Sequence, residues 1–217
     1  MMHKGRSKYM VFDFDGVLAD SFEVFLDALI NVQPKYFESK SKSELINISK
    51  NIGIDTLNVE REHFKKFTQD LRDFHIKGHE RINLFKGAGN IVAEIKRRNI
   101  NIGIVSFNDT NLIKRVLKRF NLDESFEFII GDIKFNGKDR ALTDLSQQGV
   151  DLENSWYIGD TPHDIKSAKS AKMKSVAACW GYSSKNLLLK EFPEHCLVEI
   201  SQIPKLVSTS NSSSPVF

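Results

Sequence analysis

Asp13 and Asp15 stand at the end of a short apolar run, Tyr9-Met10-Val11-Phe12, and Gly16 follows them. Far along the chain a second run, Ser155 to Gly159, closes on Asp160, and Asp164 comes four residues later. Between them lie Ser106, which ends the run Ile100 to Ser106, and Lys138, in the Gly-flanked stretch Asn136-Gly137-Lys138. Carboxylates gathered in one place repel each other unless some keep their protons or a cation neutralises them. Aspartates on oxygen-rich loops suit Mg²⁺, a hard cation that keeps several waters and binds phosphate oxygens. A serine hydroxyl, backbone N–H groups in turns and one lysine can hold a phosphoryl group and offset its charge in the transition state. These residue types therefore predict metal-assisted phosphoryl transfer wherever a fold brings the segments together.

The elements that would do so can be read from periodicity. Tyr9 to Phe14, Ile100 to Ser106, Phe126 to Ile130, Ser155 to Gly159 and Lys174 to Cys179 read as buried strands. Between them run helical patterns: Gly89 to Arg98, Thr110 to Phe120, Arg140 to Gln147 and Asp164 to Lys172. Alternating strands and helices predict an α/β fold with a parallel sheet covered on both faces. In such a sheet ligands bind beyond the carboxyl ends of the strands, which is where the acids, Ser106 and Lys138 fall. The block from Gly16 to Leu84 is different: it shows three helical patterns, Phe22 onward, Ser43 to Asn51 and Glu60 to Ile76, and no strand pattern. Ser21 or Asp20 is placed to cap the first of these helices, and Pro34 lies near its end.

The motifs resemble those of the haloacid dehalogenase superfamily. Asp13-Phe14-Asp15-Gly16-Val17-Leu18-Ala19-Asp20-Ser21 is similar to its first motif in the phosphatase form, Ser106 to the second, Lys138 to the third, and Gly159-Asp160-Thr161-Pro162-His163-Asp164 to the fourth. The stretch Ala168 to Tyr182 is similar to phosphoglycolate-phosphatase-like members. The resemblance implies a Rossmann-like core over residues 1–16 and 85–207 and an inserted α-helical cap domain over 17–84, while the Ser-rich tail over 208–217, with little to bury, reads as disordered. It implies Asp13 as nucleophile and Asp15 as the acid and base that serves the leaving group and then water. Asp13, the Asp15 carbonyl and Asp160 would hold Mg²⁺, with Asp164 acting through water or in support. Ser106, Phe107, Asn108 and Lys138 would bind the phosphoryl group. The expected partner is a small phosphorylated metabolite, hydrolysed through an aspartyl phosphate. Dehalogenating members of the superfamily have no acid at the position of Asp15, so its presence points to phosphate esters.

Some residues depart from the family pattern or carry a second reading. Many relatives place Asn where this chain has Phe107, and Asn108 comes next. The third motif often reads Lys-Pro; here it is Lys138-Asp139, and Lys134 is a rival four residues earlier. Asn108 or Asp109 reads as an N-cap, and Asp164 also fits a helix-start acid. His163 reads as an exposed loop residue. His75 and His79 share a helical face in the insert, where a solvated face outweighs a metal site. Trp180 and Tyr182 suit core packing or the edge of a pocket, and Lys96-Arg97-Arg98 reads as a basic helix end. Phe22, Arg61, Arg72 and Lys77 are candidates for contacts from the cap.

Composition narrows the remaining classes. In 217 residues the net charge is +3, too small an excess to argue for nucleic acid or an anionic membrane. No apolar run reaches the length of a membrane span, and the N-terminus lacks the apolar core of a secretory signal. The two cysteines, Cys179 and Cys196, cannot make a disulfide framework and read as reduced thiols of a cytoplasmic protein, with Cys196 partly buried beside a surface His195. Oligomeric state is not readable. A phosphomutase of the β-phosphoglucomutase type would share every core residue. A phospho-receiver module or an inactive binding member of the family are the non-enzymatic alternatives.

Overall fold

The computed structural model describes residues 7–32, 41–51, 69–70, 72–74, 76–134 and 137–208. Its centre is a six-stranded sheet. The strands are β1 (Tyr9–Phe12), β4 (Asn101–Val105), β5 (Phe128–Ile130), β6 (Trp156–Gly159), β7 (Lys174–Ala178) and β8 (His195–Leu197), in the spatial order β5-β4-β1-β6-β7-β8. Every pairing is parallel; Phe12, for example, lies between Ile104 and Ile158. The chain lays β4 and β5 on one side of β1, then crosses back to lay β6, β7 and β8 on the other. The order reverses at β1, and the crevice at such a reversal is where α/β sheets bind ligands.

Each central strand is buried on both faces, which is why it reads as a continuous apolar run. Alternation then divides its side chains between two cores. Met10, Phe12, Ile102, Ile104, Trp156 and Ile158 meet α3 (Ala88–Arg97) and α4 (Thr110–Arg119) through Ile91, Ile95, Ile113 and Val116. Val11, Val105 and Tyr157 face the other way, against Leu142 of α5 (Lys138–Asp144) and Ala168 of α6 (Pro162–Ser170). Two short helices, α7 (Lys185–Leu189) and α8 (Lys205–Ser208), close the fold.

Between β1 and α3 the described residues add no strand to this sheet. They form α1 (Phe22–Val32) and α2 (Lys42–Asn51), whose Leu26, Leu29 and Leu45 make a separate small core. Four points of the sequence reading need correction. The 16–84 block does contain strand: β2 (Ala19–Asp20) pairs antiparallel with β3 (Asn83–Leu84), two residues each, too short to leave a period-two signature. β8 was not foreseen, because three residues flanked by polar ones carry little apolar signal. His195, on that strand, is half-buried, not at the surface, because Val176 pairs with it in the sheet. β1 also ends at Phe12, two residues before the expected end, although Phe14 is fully buried. Arg61, His75, Asn136 and the tail beyond Ser208 lie outside the described residues. Among the described residues no helix is long and apolar enough to cross a membrane.

Candidate active site

The strand ends of β1, β4 and β6 deliver Asp13, Ser106 and Asp160 to one edge of the sheet, and all three are buried. Two helices complete the group from their first turns. Lys138 opens α5, and Asp164 sits in the first turn of α6. The side chain of Lys138 is wholly buried. Its Nζ donates to Asp13 Oδ2 at 2.8 Å and to Asp164 Oδ1 at 2.6 Å. Lys134, the rival, is exposed.

Asp164 is the helix-start acid foreseen for it, and it also reaches Lys138. Its backbone N–H donates to Thr161 Oγ1 at 3.3 Å, and its Oδ2 accepts from the Thr161 N–H at 3.0 Å and hydroxyl at 2.6 Å. That is a capping box with Pro162 at the first helical position, and it fixes the start of α6. The other carboxylate oxygen is left for Lys138. Tyr157 of β6 donates its hydroxyl to the Val105 carbonyl at 2.9 Å and lies 3.4 Å from Asp164 Oδ1.

One ligand atom each from Asp13, Asp160 and Asp164 lie within 4.8 Å of one another. Three buried carboxylates against a single ammonium leave a surplus of negative charge, and the ionisation of the group shows it. Burial raises Asp13 to about 6, and the nearby Asp164 and Asp15 add to that, against the pull of Lys138. Asp160 is pushed well above the carboxylate range by burial, then by Asp164 and Asp13. Burial acts upward on Asp164 too, yet Lys138 and Thr161 bring it below its ordinary value. The same ammonium serves Asp13 and Asp164, but only Asp164 also has the Thr161 donors. Lys138 is held charged: burial works against its ammonium, and Asp13 and Asp164 more than offset that. A buried, oxygen-only donor set with excess negative charge fits a hard divalent cation.

Two glycines let the backbone approach these acids. Gly16 has φ +72°, and a Cβ there would stand 1.9 Å from Asp160 Oδ2. A Cβ on Gly181 would be 2.4 Å from Asp160 Oδ2 and from the Gly16 carbonyl oxygen. The next residue, Tyr182, donates its N–H to Asp160 Oδ2 at 2.6 Å. Asp160 is thus oriented by backbone that only glycine neighbours permit.

Asp15 stands apart from this cluster in a setting of its own. Its Oδ1 accepts the Ser21 hydroxyl at 2.6 Å and its Oδ2 accepts the Asn108 amide at 2.7 Å. A hydroxyl has one hydrogen, so the Tyr182 hydroxyl, 2.8 Å from Ser21 Oγ, donates to it. Ser21, foreseen as a helix cap, thus gives its hydrogen to Asp15. Asp109 is the residue that caps α4, through Leu112 N–H at 2.9 Å. Ser106 Oγ accepts from the Asn108 N–H at 3.3 Å. Phe107, in place of the Asn of many relatives, lays its ring over Lys138, with Nζ 4.2 Å from the centroid. The ring also lies beside His163, with 5.3 Å between ring centroids. His163 is half-buried, and its Nδ1 lies 3.3 Å from Ser167 Oγ. Phe107 therefore supplies an apolar cover on the ammonium through a cation–π contact.

The insert reaches the same edge. Phe22 packs edge-on against Tyr182 at 4.9 Å and Phe25 lies 5.6 Å from it. Arg72 donates to Asp132 Oδ1 at 2.5 Å and reaches the Phe107 carbonyl at 3.4 Å. His79 turns its Nδ1 to the Ile76 carbonyl at 2.8 Å. Trp180 donates to the Val17 carbonyl at 3.1 Å and packs on the core. Sequence reasoning missed Tyr157, Thr161 and Ser21. Thr161 had a legible signal, Thr-Pro before an acid at the third helical position; the contacts of Ser21 with Tyr182 and of Tyr157 with Val105 had none, because those partners are distant in sequence.

Comparison with known proteins agrees with this arrangement. A family model described as haloacid dehalogenase-like hydrolase matches residues 10–178. The chain is 23% identical over 207 residues to the pyrophosphatase PpaX of Oceanobacillus iheyensis, covering 93% of this chain and 97% of that protein. It is 23% identical over 205 residues to the phosphoglycolate phosphatase of Synechococcus elongatus, covering 92% and 96%. Among solved structures it is similar to a haloacid dehalogenase-like family hydrolase from Streptococcus pneumoniae, with a TM-score of 0.76, 19% identity and coverage of 93% and 98%. The matched span begins on the strand that delivers Asp13 and ends just past the segment that delivers Asp160 and Asp164, and by that match the chain belongs to the haloacid dehalogenase-like hydrolase family.

Proposed function

We propose that this protein is a Mg²⁺-dependent phosphatase that hydrolyses the phosphomonoester of a small metabolite through an aspartyl phosphate on Asp13. The observation that carries the reading is the division of labour between two aspartates on one turn. Asp13 lies in the buried cluster with Lys138, while Asp15 is held separately by Ser21 and Asn108. Mg²⁺ would be held by Asp13, Asp160 and the Asp15 carbonyl, with Asp164 in support. When bound it supplies positive charge for the phosphoryl oxygens and for the acids around them.

The chain's own residues carry the steps. An Asp13 oxygen attacks phosphorus as the ester P–O bond breaks, and Asp15 gives its proton to the departing alkoxide oxygen. Water then attacks phosphorus and passes a proton to Asp15, and the bond to Asp13 breaks to release phosphate. Ser106, Lys138 and the backbone at Phe107 and Asn108 hold the phosphoryl oxygens. Residues 17–84 act as a cap whose closure excludes water and selects the leaving group. The contacts of Phe22, Phe25 and Arg72 with the core edge support that role. A cytoplasmic setting suits the two unpaired thiols.

The test is release of phosphate from p-nitrophenyl phosphate and from a panel of metabolite phosphates, with Mg²⁺. Multiple turnover is expected, lost on adding EDTA and lost in Asp13→Asn. Retained turnover in Asp13→Asn sinks the mechanism. Isomerisation of a hexose 1-phosphate without free phosphate would show a mutase instead.

A further inference from the structure

Cys179 directly follows β7, and Cys196 is the middle residue of the edge strand β8. Ala177 pairs with Cys196 in the sheet, and the Cys179 N–H donates to the Leu197 carbonyl at 2.9 Å. Seventeen residues apart in sequence, the two thiols come together with Sγ to Sγ at 2.8 Å. They meet in a small apolar cluster with Ile165, Ala177 and Leu188. Cys196 is buried and Cys179 is half-buried, so solvent reaches the pair from the Cys179 side. These are the only cysteines in the chain.

The segment that begins at Cys179 runs straight to the acid cluster. The Gly181 N–H donates to the Ala178 carbonyl at 3.3 Å, and the Tyr182 N–H donates to Asp160 Oδ2 at 2.6 Å. The Ser183 N–H donates to the Asp160 carbonyl at 3.3 Å. Anything that ties down Cys179 therefore ties down the start of the stretch that cradles Asp160. We propose that Cys179 and Cys196 are a modification site: a dithiol that a peroxide converts to an intramolecular disulfide, clamping residues 179–183 beside Asp160.

The step balances with hydrogen peroxide as oxidant. One sulfur takes a peroxide oxygen as the O–O bond breaks, giving a sulfenic acid and one water. The second sulfur then attacks the first; the S–S bond forms, the S–O bond breaks, and a second water leaves. Two thiols lose two electrons and two protons in all. A disulfide places its sulfurs about 2.0 Å apart, so closure asks each of them for only a small movement. Burial pushes the Cys179 thiol up to about 12, and its hydrogen bond to Cys196 adds to that. Thiolate is therefore scarce at Cys179 at neutral pH, and slow oxidation is expected.

The experiment treats the folded, full-length protein with hydrogen peroxide, blocks remaining thiols with an alkylating agent and reads intact mass and mapped peptides. Two free thiols per chain should fall to none, with the loss of two hydrogens, a Cys179–Cys196 cross-linked peptide, and full return on adding a reductant. Cys179→Ser and Cys196→Ser should each abolish the cross-link. Amide hydrogen exchange at Gly181, Tyr182 and Ser183 should slow several-fold in the oxidised form. Oxidation that stops at sulfinic acid on Cys179, with Cys196 alkylated after unfolding, overturns the site. Disulfides found only between molecules overturn it too. An intramolecular disulfide with unchanged exchange at those amides overturns the clamp.

Discussion

Replacing Lys138 with Met keeps an unbranched apolar stem one atom shorter and removes the ammonium that Asp13 and Asp164 share. Both bonds are charge-assisted and short, 2.8 and 2.6 Å, and the lysine is wholly buried. Removing one partner of a buried ion pair costs about 3–5 kcal/mol, because the other charge stays buried without compensation. For a domain of this size about 1 kcal/mol moves the melting temperature by roughly 2–4 °C, so a fall of roughly 6–20 °C is expected in EDTA at pH 8. The pH dependence has a definite sign. Asp13 already sits at about 6 in the folded protein, above its unfolded value. A carboxyl raised in this way favours the folded state below its unfolded value and penalises it as pH climbs to the folded value. Without Lys138 the penalty extends to higher pH, while at pH 5 Asp13 takes a proton and much of the cost vanishes. The measurement is thermal unfolding of both proteins at pH 5 and pH 8, metal-free. A second variant, Asp164→Asn, combined with Lys138→Met should lose less than the two single losses added together. A loss under about 1 kcal/mol at pH 8, or one equal at both pH values, would refute the view that this pair sets the charge balance of the site.

Three further outcomes follow from the same geometry. Mg²⁺ should raise the melting temperature more at pH 7.5 than at pH 5, since a metal must displace the protons that burial holds on Asp13 and Asp160; an equal shift at both values would argue against these ligands. Gly16→Ala should weaken Mg²⁺ binding at least tenfold by titration, about 1.4 kcal/mol or more, because a Cβ 1.9 Å from Asp160 Oδ2 must displace that carboxylate and φ +72° is strained for alanine. Arg72→Ala removes the insert's bonds to Asp132 and the Phe107 carbonyl; the expected result in steady-state kinetics is a raised KM with little loss of melting temperature, since this pair is partly exposed and such pairs contribute about 0–1 kcal/mol.

Where the chain's local pattern was unambiguous, the reading from sequence and the structure agree closely. β4, β6 and β7 are apolar runs bounded by polar turns, and each was placed within a residue or two of its observed span. Asp13 after β1, Ser106 after β4, and Asp160 and Asp164 after β6 were singled out because strand ends in a parallel sheet converge on one edge. The weakest signals were lost for a stated reason. β2 and β3 hold two residues each, and β8 holds three, so periodicity had nothing to repeat.

Residue type and spacing, by themselves, determined the α/β class and which acids and which lysine stand at the ends of its strands. Those properties are written in local pattern: alternation, capping residues, glycine at turns. Pairings across long stretches of chain were decided only by the tertiary structure. Lys138 was preferred to Lys134 on local pattern, but its burial between Asp13 and Asp164, which lie 125 and 26 residues away, is a property of packing. Phe107 stood out in the sequence only as a departure from the family pattern, and its place over the ammonium is a property of packing. Cys179 and Cys196 read as two separate thiols and stand together because β7 and β8 are neighbours. A sequence records which groups are present; their ionisation and partners depend on distances and burial that exist only once the strands are laid side by side.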